Sequence, residues 1–99
     1  MNNLTTFDRV KTGLRITNNS LDDDIKLNIS AAMIDLASAG VDVNNHIDDE
    51  GIIVAILLYC RWIYNQLDKG EQWFKDYELK KQLLSLDSAY HVDGDNYVQ

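Results

Sequence analysis

The sequence predicts an all-α protein, a compact bundle of about four helices with an irregular C-terminal tail. The 99 residues include no proline and only five glycines, whereas turn-rich β folds use both residues often. Apolar side chains recur at helical spacing in four segments that polar stretches separate. The chain is 45% hydrophobic and 25% charged, which is ordinary for a single globular domain. These observations together favour helices over strands and disorder.

Residues 5–15 are predicted to form a short first helix. Apolar side chains recur there at helical spacing, and Thr5 or Thr6 is placed to cap the N-terminus of the helix. Gly13 lies near the predicted end, and the polar stretch over residues 16–20 is expected to be a loop.

The second helix is predicted over residues 21–39. Ser20 is the expected N-cap, because Asp23 follows three residues later and gives a pattern like a capping box. Three consecutive aspartates in the first turn complement the positive end of the helix dipole. An apolar stripe with a period of about 3.6 residues follows, and Gly40 is a natural left-handed stop.

The third helix is predicted over about residues 51–68, with Asp48 or Asp49 as its cap and Gly70 as its stop. Over residues 52–63, eleven of twelve side chains are apolar, so the helix is apolar on nearly every side. Such a helix must be covered all round. The cover comes either from the other three helices or in part from another chain, and the sequence leaves both alternatives open.

A fourth helix is predicted from residue 72 to about residue 86, where Trp73 and Tyr77 share one face at helical spacing. Residues 87–99 have no clear period and form the tail, which is expected to be mobile or to become ordered on assembly. The sequence therefore divides into a helical domain, residues 1–86, and the C-terminal tail.

The charge balance narrows the classes of partner. Nine basic and sixteen acidic residues give a net charge of −7 at pH 7. A chain with this field repels nucleic acid and anionic membranes, so direct DNA binding is disfavoured and a basic partner surface is favoured. The longest apolar run has nine residues, too few to span a membrane. The N-terminal residues lack the pattern of a signal peptide.

The sequence offers no constellation of catalytic residues, so we predict a protein that is not an enzyme and uses no cofactor or metal. His46 and His91 are interpreted as exposed loop residues, because the usual metal-ligand spacings are missing. Cys60 lies in the most apolar stretch and has no partner for an internal disulfide. It is expected to be a buried, inert thiol in a reducing cytosol.

Aromatic residues of the last two helices are candidates for a contact between subunits, since Trp and Tyr are favoured at protein interfaces. The candidate interface residues are Arg61, Trp62, Trp73, Phe74 and Tyr77. Two interpretations of Arg61 remain open. It belongs either to a solvent-facing polar stripe with Asn65 and Asp68, or to an ion pair with an acid of a neighbouring subunit.

Three sequence segments resemble the tailed-phage head–tail connector (adaptor) family. Proteins of this family begin with a short helix, and their second helix starts with acidic residues. The first phrase is TFDRVKTGLRI, residues 6–16, and the second is LDDDIKLNISAA, residues 21–32. The third is the apolar helix over residues 55–66, with its ending WIYN. In helix order and spacing the resemblance covers roughly residues 5–86.

The resemblance implies a structural virion protein of a tailed phage or prophage. Such proteins form a homo-oligomeric ring that joins the portal to tail or stopper proteins and extends the DNA channel. DNA would then pass through the channel only as cargo, and no membrane would be a partner. The protein would reside in the host cytoplasm during assembly and later in the virion neck. The alternative is a small cytosolic helical regulator that binds a protein partner without catalysis. A chain that stays monomeric even in the presence of a portal would favour the regulator.

Overall fold

A computed structural model of the protein describes residues 5–65 and 67–91 and contains four α-helices. They are α1, Thr6–Gly13; α2, Asp22–Ser38; α3, Glu50–Tyr64; and α4, Gly70–Leu86. Two short 3-10 helices, Asn44–His46 and Ser88–Tyr90, follow α2 and α4. Within these ranges no strand occurs, so the predicted all-α bundle is confirmed.

The first helix begins at a reciprocal cap. The backbone N–H of Asp8 donates to Thr5 Oγ1 at 3.1 Å, and the backbone N–H of Thr5 donates to Asp8 Oδ2 at 3.2 Å. This capping box confirms Thr5 as the N-cap. After the helix ends at Gly13, Arg15 turns the chain with a φ of 62°, a conformation that glycine usually supplies. A Cβ on Gly13 would meet Leu57 Cδ2 at 2.7 Å, so the missing side chain lets α1 approach α3 closely.

Helix α2 begins without the predicted cap. Ser20 lies before the helix, and its backbone N–H and hydroxyl both donate to Asn18 Oδ1, at 3.0 and 2.6 Å. The prediction of Ser20 as N-cap is therefore wrong, because its hydroxyl is used in a local turn. Lys11 Nζ lies 2.8 Å from Asp22 Oδ1 and joins α1 to the first turn of α2. At the other end, Gly40 has a φ of 91°, which confirms the left-handed stop.

Helix α3 lies at the centre of the bundle and packs against each of the other three helices. Its side chains Ile52, Ile56 and Cys60 are fully buried, in one core with Val10 of α1 and Leu36 of α2. The apolar central helix is thus covered largely by its own chain. Of the two alternatives that the sequence leaves open, the structure supports intramolecular cover.

The predicted C-terminal bound of the central helix is wrong. The helix ends at Tyr64, since the Asn65 side chain donates to the backbone carbonyl of Arg61 at 2.8 Å and satisfies an acceptor of the last turn. Gly70, predicted to stop this helix, is instead the first residue of α4 and is buried. Helix α4 therefore starts earlier than the sequence pattern indicates.

The first residues of the predicted tail, 87–91, pack back onto the helical domain. The backbone N–H of Asp42 donates to the carbonyl of Tyr90 at 2.6 Å, and the Tyr90 ring lies 4.9 Å from the His46 ring. This part of the tail therefore packs on the loop that links α2 to α3. The remainder of the predicted tail, residues 92–99, lies outside the described residues, and so does its expected order on assembly.

Candidate functional site

Three of the aromatic residues predicted to form an interface gather with Tyr59 between α3 and α4. We call this group the aromatic cluster: Tyr59, Trp62, Phe74 and Tyr77. The Tyr59 ring lies edge-on to Trp62 at 5.4 Å and edge-on to Tyr77 at 5.2 Å. The rings of Trp62 and Phe74 are 4.7 Å apart. Tyr77 is 1% exposed and belongs to the core, whereas Phe74 is 36% exposed. The cluster therefore joins the two helices and reaches the surface only in part.

Arg61 and Trp73, the other two candidate interface residues, meet beside the aromatic cluster. The Arg61 guanidinium carbon lies 5.0 Å from the Trp73 ring centroid, in a cation–π contact. The same guanidinium donates to the carbonyl of Gly13 at 3.2 Å and so holds the end of α1. Arg61 is half-buried, not part of a purely solvent-facing stripe. Its pairing with an acid of another subunit stays a prediction.

A charged group ties α2 to α4, and we call it the Asp35 clamp: Asp35, Tyr77 and Lys81. The Tyr77 hydroxyl donates to Asp35 Oδ2 at 2.5 Å, and Lys81 Nζ donates to the same oxygen at 2.9 Å. Lys81 also contacts Glu78 Oε2 at 3.1 Å. These contacts satisfy the Tyr77 hydroxyl, which would otherwise be a buried donor without an acceptor.

The ionisation of the clamp follows from its contacts. Partial burial disfavours the charged carboxylate, but the hydrogen bonds from Tyr77 and Lys81 outweigh it and lower the pKa of Asp35. Burial and the hydrogen bond to Asp35 both raise the pKa of Tyr77 well above its usual range. Near neutral pH the clamp therefore holds an anion, a neutral phenol and a cation, whose contacts with one another stabilise the bundle.

A second tyrosine joins α3 to the start of α2. The Tyr64 hydroxyl donates to Asp24 and accepts from the Asn28 side chain at 3.0 Å. Burial and the bond to Asp24 raise the pKa of Tyr64 to about 12. In the unfolded chain a tyrosine titrates near pH 10.

We therefore expect the protein to lose stability in alkali. Above about pH 10 the unfolded chain releases tyrosine protons that the folded chain keeps, so the free energy of unfolding falls as the pH rises. Urea unfolding between about pH 8 and about pH 11 measures this slope. A Tyr64→Phe variant removes one of the groups and is expected to flatten it. An equal slope in that variant would contradict the role assigned to Tyr64.

Two helix faces expose apolar side chains that the bundle does not cover. The α2 outer face presents Leu27, 68% exposed, and Ile34, 70% exposed, with the small residues Ser30 and Ala31 between them. The α4 outer face presents Leu79, Leu83 and Leu86, at 57%, 55% and 71% exposure, with the exposed polar residue Gln82 among them. Contiguous apolar patches on a protein surface are typical of sites where another molecule binds, so the two outer faces are candidates for such a site.

A groove of about 380 Å³ adjoins the α2 outer face. Ile34, Met33 and Ala37 of α2 form one wall, and the loop residues Val41 and Val43 lie opposite. The lining is mainly apolar, with room for an apolar side chain of a partner.

Sequence reasoning identified the aromatic residues but missed both outer faces. A signal was present, because Leu79, Leu83 and Leu86 lie four and then three residues apart and so share one side of the helix. Leu27 and Ile34 lie seven residues apart, also on one side.

The histidines and the cysteine lie in places that differ in part from the predictions. His46 and His91 are half-buried, so the prediction of exposed loop residues is wrong. The Tyr90 ring packs on His46, and the His91 ring contacts the end of α4. His46 Nδ1 lies 2.9 Å from Asp49 Oδ2, and His91 Nε2 lies 2.6 Å from the carbonyl of Ser85. Cys60 is fully buried, as predicted, and burial raises the pKa of its thiol to about 12.

Across residues 5–65 and 67–91, no group of three or more His, Cys, Asp or Glu side chains is arranged to hold a metal ion. Over the same ranges, none of the helices has the length and apolar character needed to cross a membrane. Comparison of the chain with protein-family models, with curated proteins and with solved structures finds no match.

Proposed function

We propose that this chain is a structural, non-catalytic subunit of the neck of a tailed phage or prophage. Copies of it form a homo-oligomeric ring that joins the portal to tail or stopper proteins and extends the DNA channel. Assembly takes place in the host cytoplasm, and the finished ring resides in the virion neck. The three sequence phrases that resemble the connector family support this assignment.

The observation that carries the proposal is the pair of outer faces. Helix α3 is largely covered within the chain, and the exposed leucines of α4 and the exposed Leu27 and Ile34 of α2 have no role in the core. Two different apolar faces on one chain favour contacts in which one face meets the other. Such head-to-tail contacts produce a ring when the rotation between neighbours closes.

The charge of the chain fits a protein through which DNA passes as cargo. A net charge of −7 disfavours tight binding to the phosphate backbone, so the wall of such a ring would not retain DNA in transit. The same charge favours a basic docking surface on the neighbouring portal or tail protein.

Binding to a portal tests the proposal. The purified chain is mixed with the portal protein encoded in the same genome, and the mixture is sedimented and imaged by electron microscopy. We expect the two to cosediment, with a ring of density added to one end of the portal. A genome without a portal gene, or a chain that stays free of the portal, would refute the connector function. It would favour a helical regulator with another protein partner.

A further inference from the structure

The two outer faces have a charged residue and two large apolar residues at the same intervals along the helix. The α2 outer face begins with exposed Asp23, and its large apolar side chains follow four and eleven residues later, at Leu27 and Ile34. The α4 outer face begins with exposed Lys75, and leucines follow at the same two intervals, at residues 79 and 86. Positions separated by four and eleven residues lie on one side of a helix. Two such helices, side by side and parallel, bring equivalent positions together.

Between these positions the side chains of the two faces are complementary in size. The α4 outer face carries exposed Gln82 and Leu83, whereas the α2 outer face carries the small residues Ser30 and Ala31 at the matching places. A large side chain on one helix then fits above small ones on the other. Near the far end, Leu86 would lie against Ile34, which lines the apolar groove.

Each outer face begins with a charged residue, and the two charges are opposite in sign. Asp23 forms no ion pair within the part of the chain that the structure describes. The Lys75 side chain is 69% exposed, and its contact with Glu71 is long, at 3.9 Å. In the parallel arrangement Lys75 meets Asp23, whereas an antiparallel arrangement would place each charge against an apolar side chain. The charges therefore select the parallel direction.

We propose that the α4 outer face of one copy packs, parallel and in this register, on the α2 outer face of a second copy. Lys75 then pairs with Asp23, Leu79 packs on Leu27, and Leu86 packs on Ile34. This assignment rests on the proposed function, because it names the contact that repeats around the ring. The contact joins two different surfaces, so every copy binds two neighbours.

Disulfide trapping tests the register. A chain carrying Ile34→Cys is mixed with a chain of different mass carrying Leu86→Cys, and the pair is oxidised. Both positions are about 70% exposed, so neither substitution disturbs the core. Cys60 stays in place because it is fully buried. We expect disulfide-linked heterodimers, and each variant alone is expected to remain unlinked.

The matched control replaces Leu86→Cys by Leu79→Cys. The control position lies on the same face at similar exposure, but about 10 Å along the helix, beyond the roughly 7 Å that a disulfide spans between Cα atoms. We expect at least ~tenfold less heterodimer, since contact sets the effective thiol concentration. More product with Leu79→Cys would show an antiparallel contact, and dimers of Ile34→Cys alone would show a symmetric one. Either result overturns the assignment.

Failure of the assignment and failure of the connector function remain distinguishable. An oligomer seen by light scattering without the 34–86 link refutes the register and leaves the ring intact. A chain that stays monomeric and also stays free of the portal refutes both. A charge exchange gives a second test: Lys75→Glu is expected to weaken association, and adding Asp23→Lys is expected to restore it. No recovery in the double variant would mean that the two residues do not meet.

Discussion

Replacing Tyr77 with alanine is expected to lower the free energy of unfolding by about 3–5 kcal/mol, the usual loss for a buried aromatic side chain. The side chain is 1% exposed, packs on Tyr59, and donates to Asp35. Its removal leaves a cavity between α3 and α4 and breaks one of the two hydrogen bonds that Asp35 of α2 accepts from α4. For a small domain this loss is a large share of total stability. Urea unfolding followed by circular dichroism measures it.

Tyr77→Phe is the matched control, because it keeps the ring and removes only the hydroxyl. We expect it to cost about 1.5 kcal/mol, the low end for a hydrogen bond to a charged group, since Asp35 is 39% exposed and keeps Lys81 as a partner. If the alanine variant were no less stable than the phenylalanine variant, Tyr77 would not be the packing centre that the structure describes.

Replacing Ile34 with aspartate is expected to abolish assembly while leaving the subunit folded. The side chain is 70% exposed in the isolated chain, so the core does not depend on it. In the proposed contact it is covered, and a carboxylate there would weaken association by about 3 kcal/mol, roughly a hundredfold per contact. Size exclusion with light scattering measures the mass, and circular dichroism checks the fold.

Leu67→Asp serves as the control for this substitution. Leu67 is fully exposed in the turn between α3 and α4, and it lies on neither outer face. The same change in charge is therefore expected to leave the assembly unaltered. Equal loss of assembly in both variants would trace the effect to net charge, and retention of assembly in Ile34→Asp would remove the α2 outer face from the interface.

The sequence predicted the fold class well, because local signals and burial agree along most of the chain. Thr5 and Gly40 act as predicted, and the central apolar run does form the core helix. The errors arose where tertiary contacts override a local pattern. Glycine often ends a helix, yet Gly70 is the first residue of α4. Helix α3 has already ended before it, where the Asn65 side chain bonds the carbonyl of Arg61.

The candidate site was predictable in part. Aromatic residue type on the last two helices pointed to Trp62 and Phe74, and the structure places their rings 4.7 Å apart. Spacing could not indicate that Tyr77 is satisfied by Asp35, which is 42 residues away in sequence. The apolar periodicity of α4 also could not show that Leu84 is buried and Leu83 exposed. The two leucines are adjacent in sequence and differ only in the side of the helix on which they lie.

The central claim is that copies of this chain associate through the two outer faces into a closed ring. Molar mass by light scattering after size exclusion, across a concentration series, tests it most directly. The account predicts one species whose mass is a fixed multiple of 11.3 kDa and does not grow with concentration. A mass of 11.3 kDa at every concentration, or a mass that rises without limit, would contradict it.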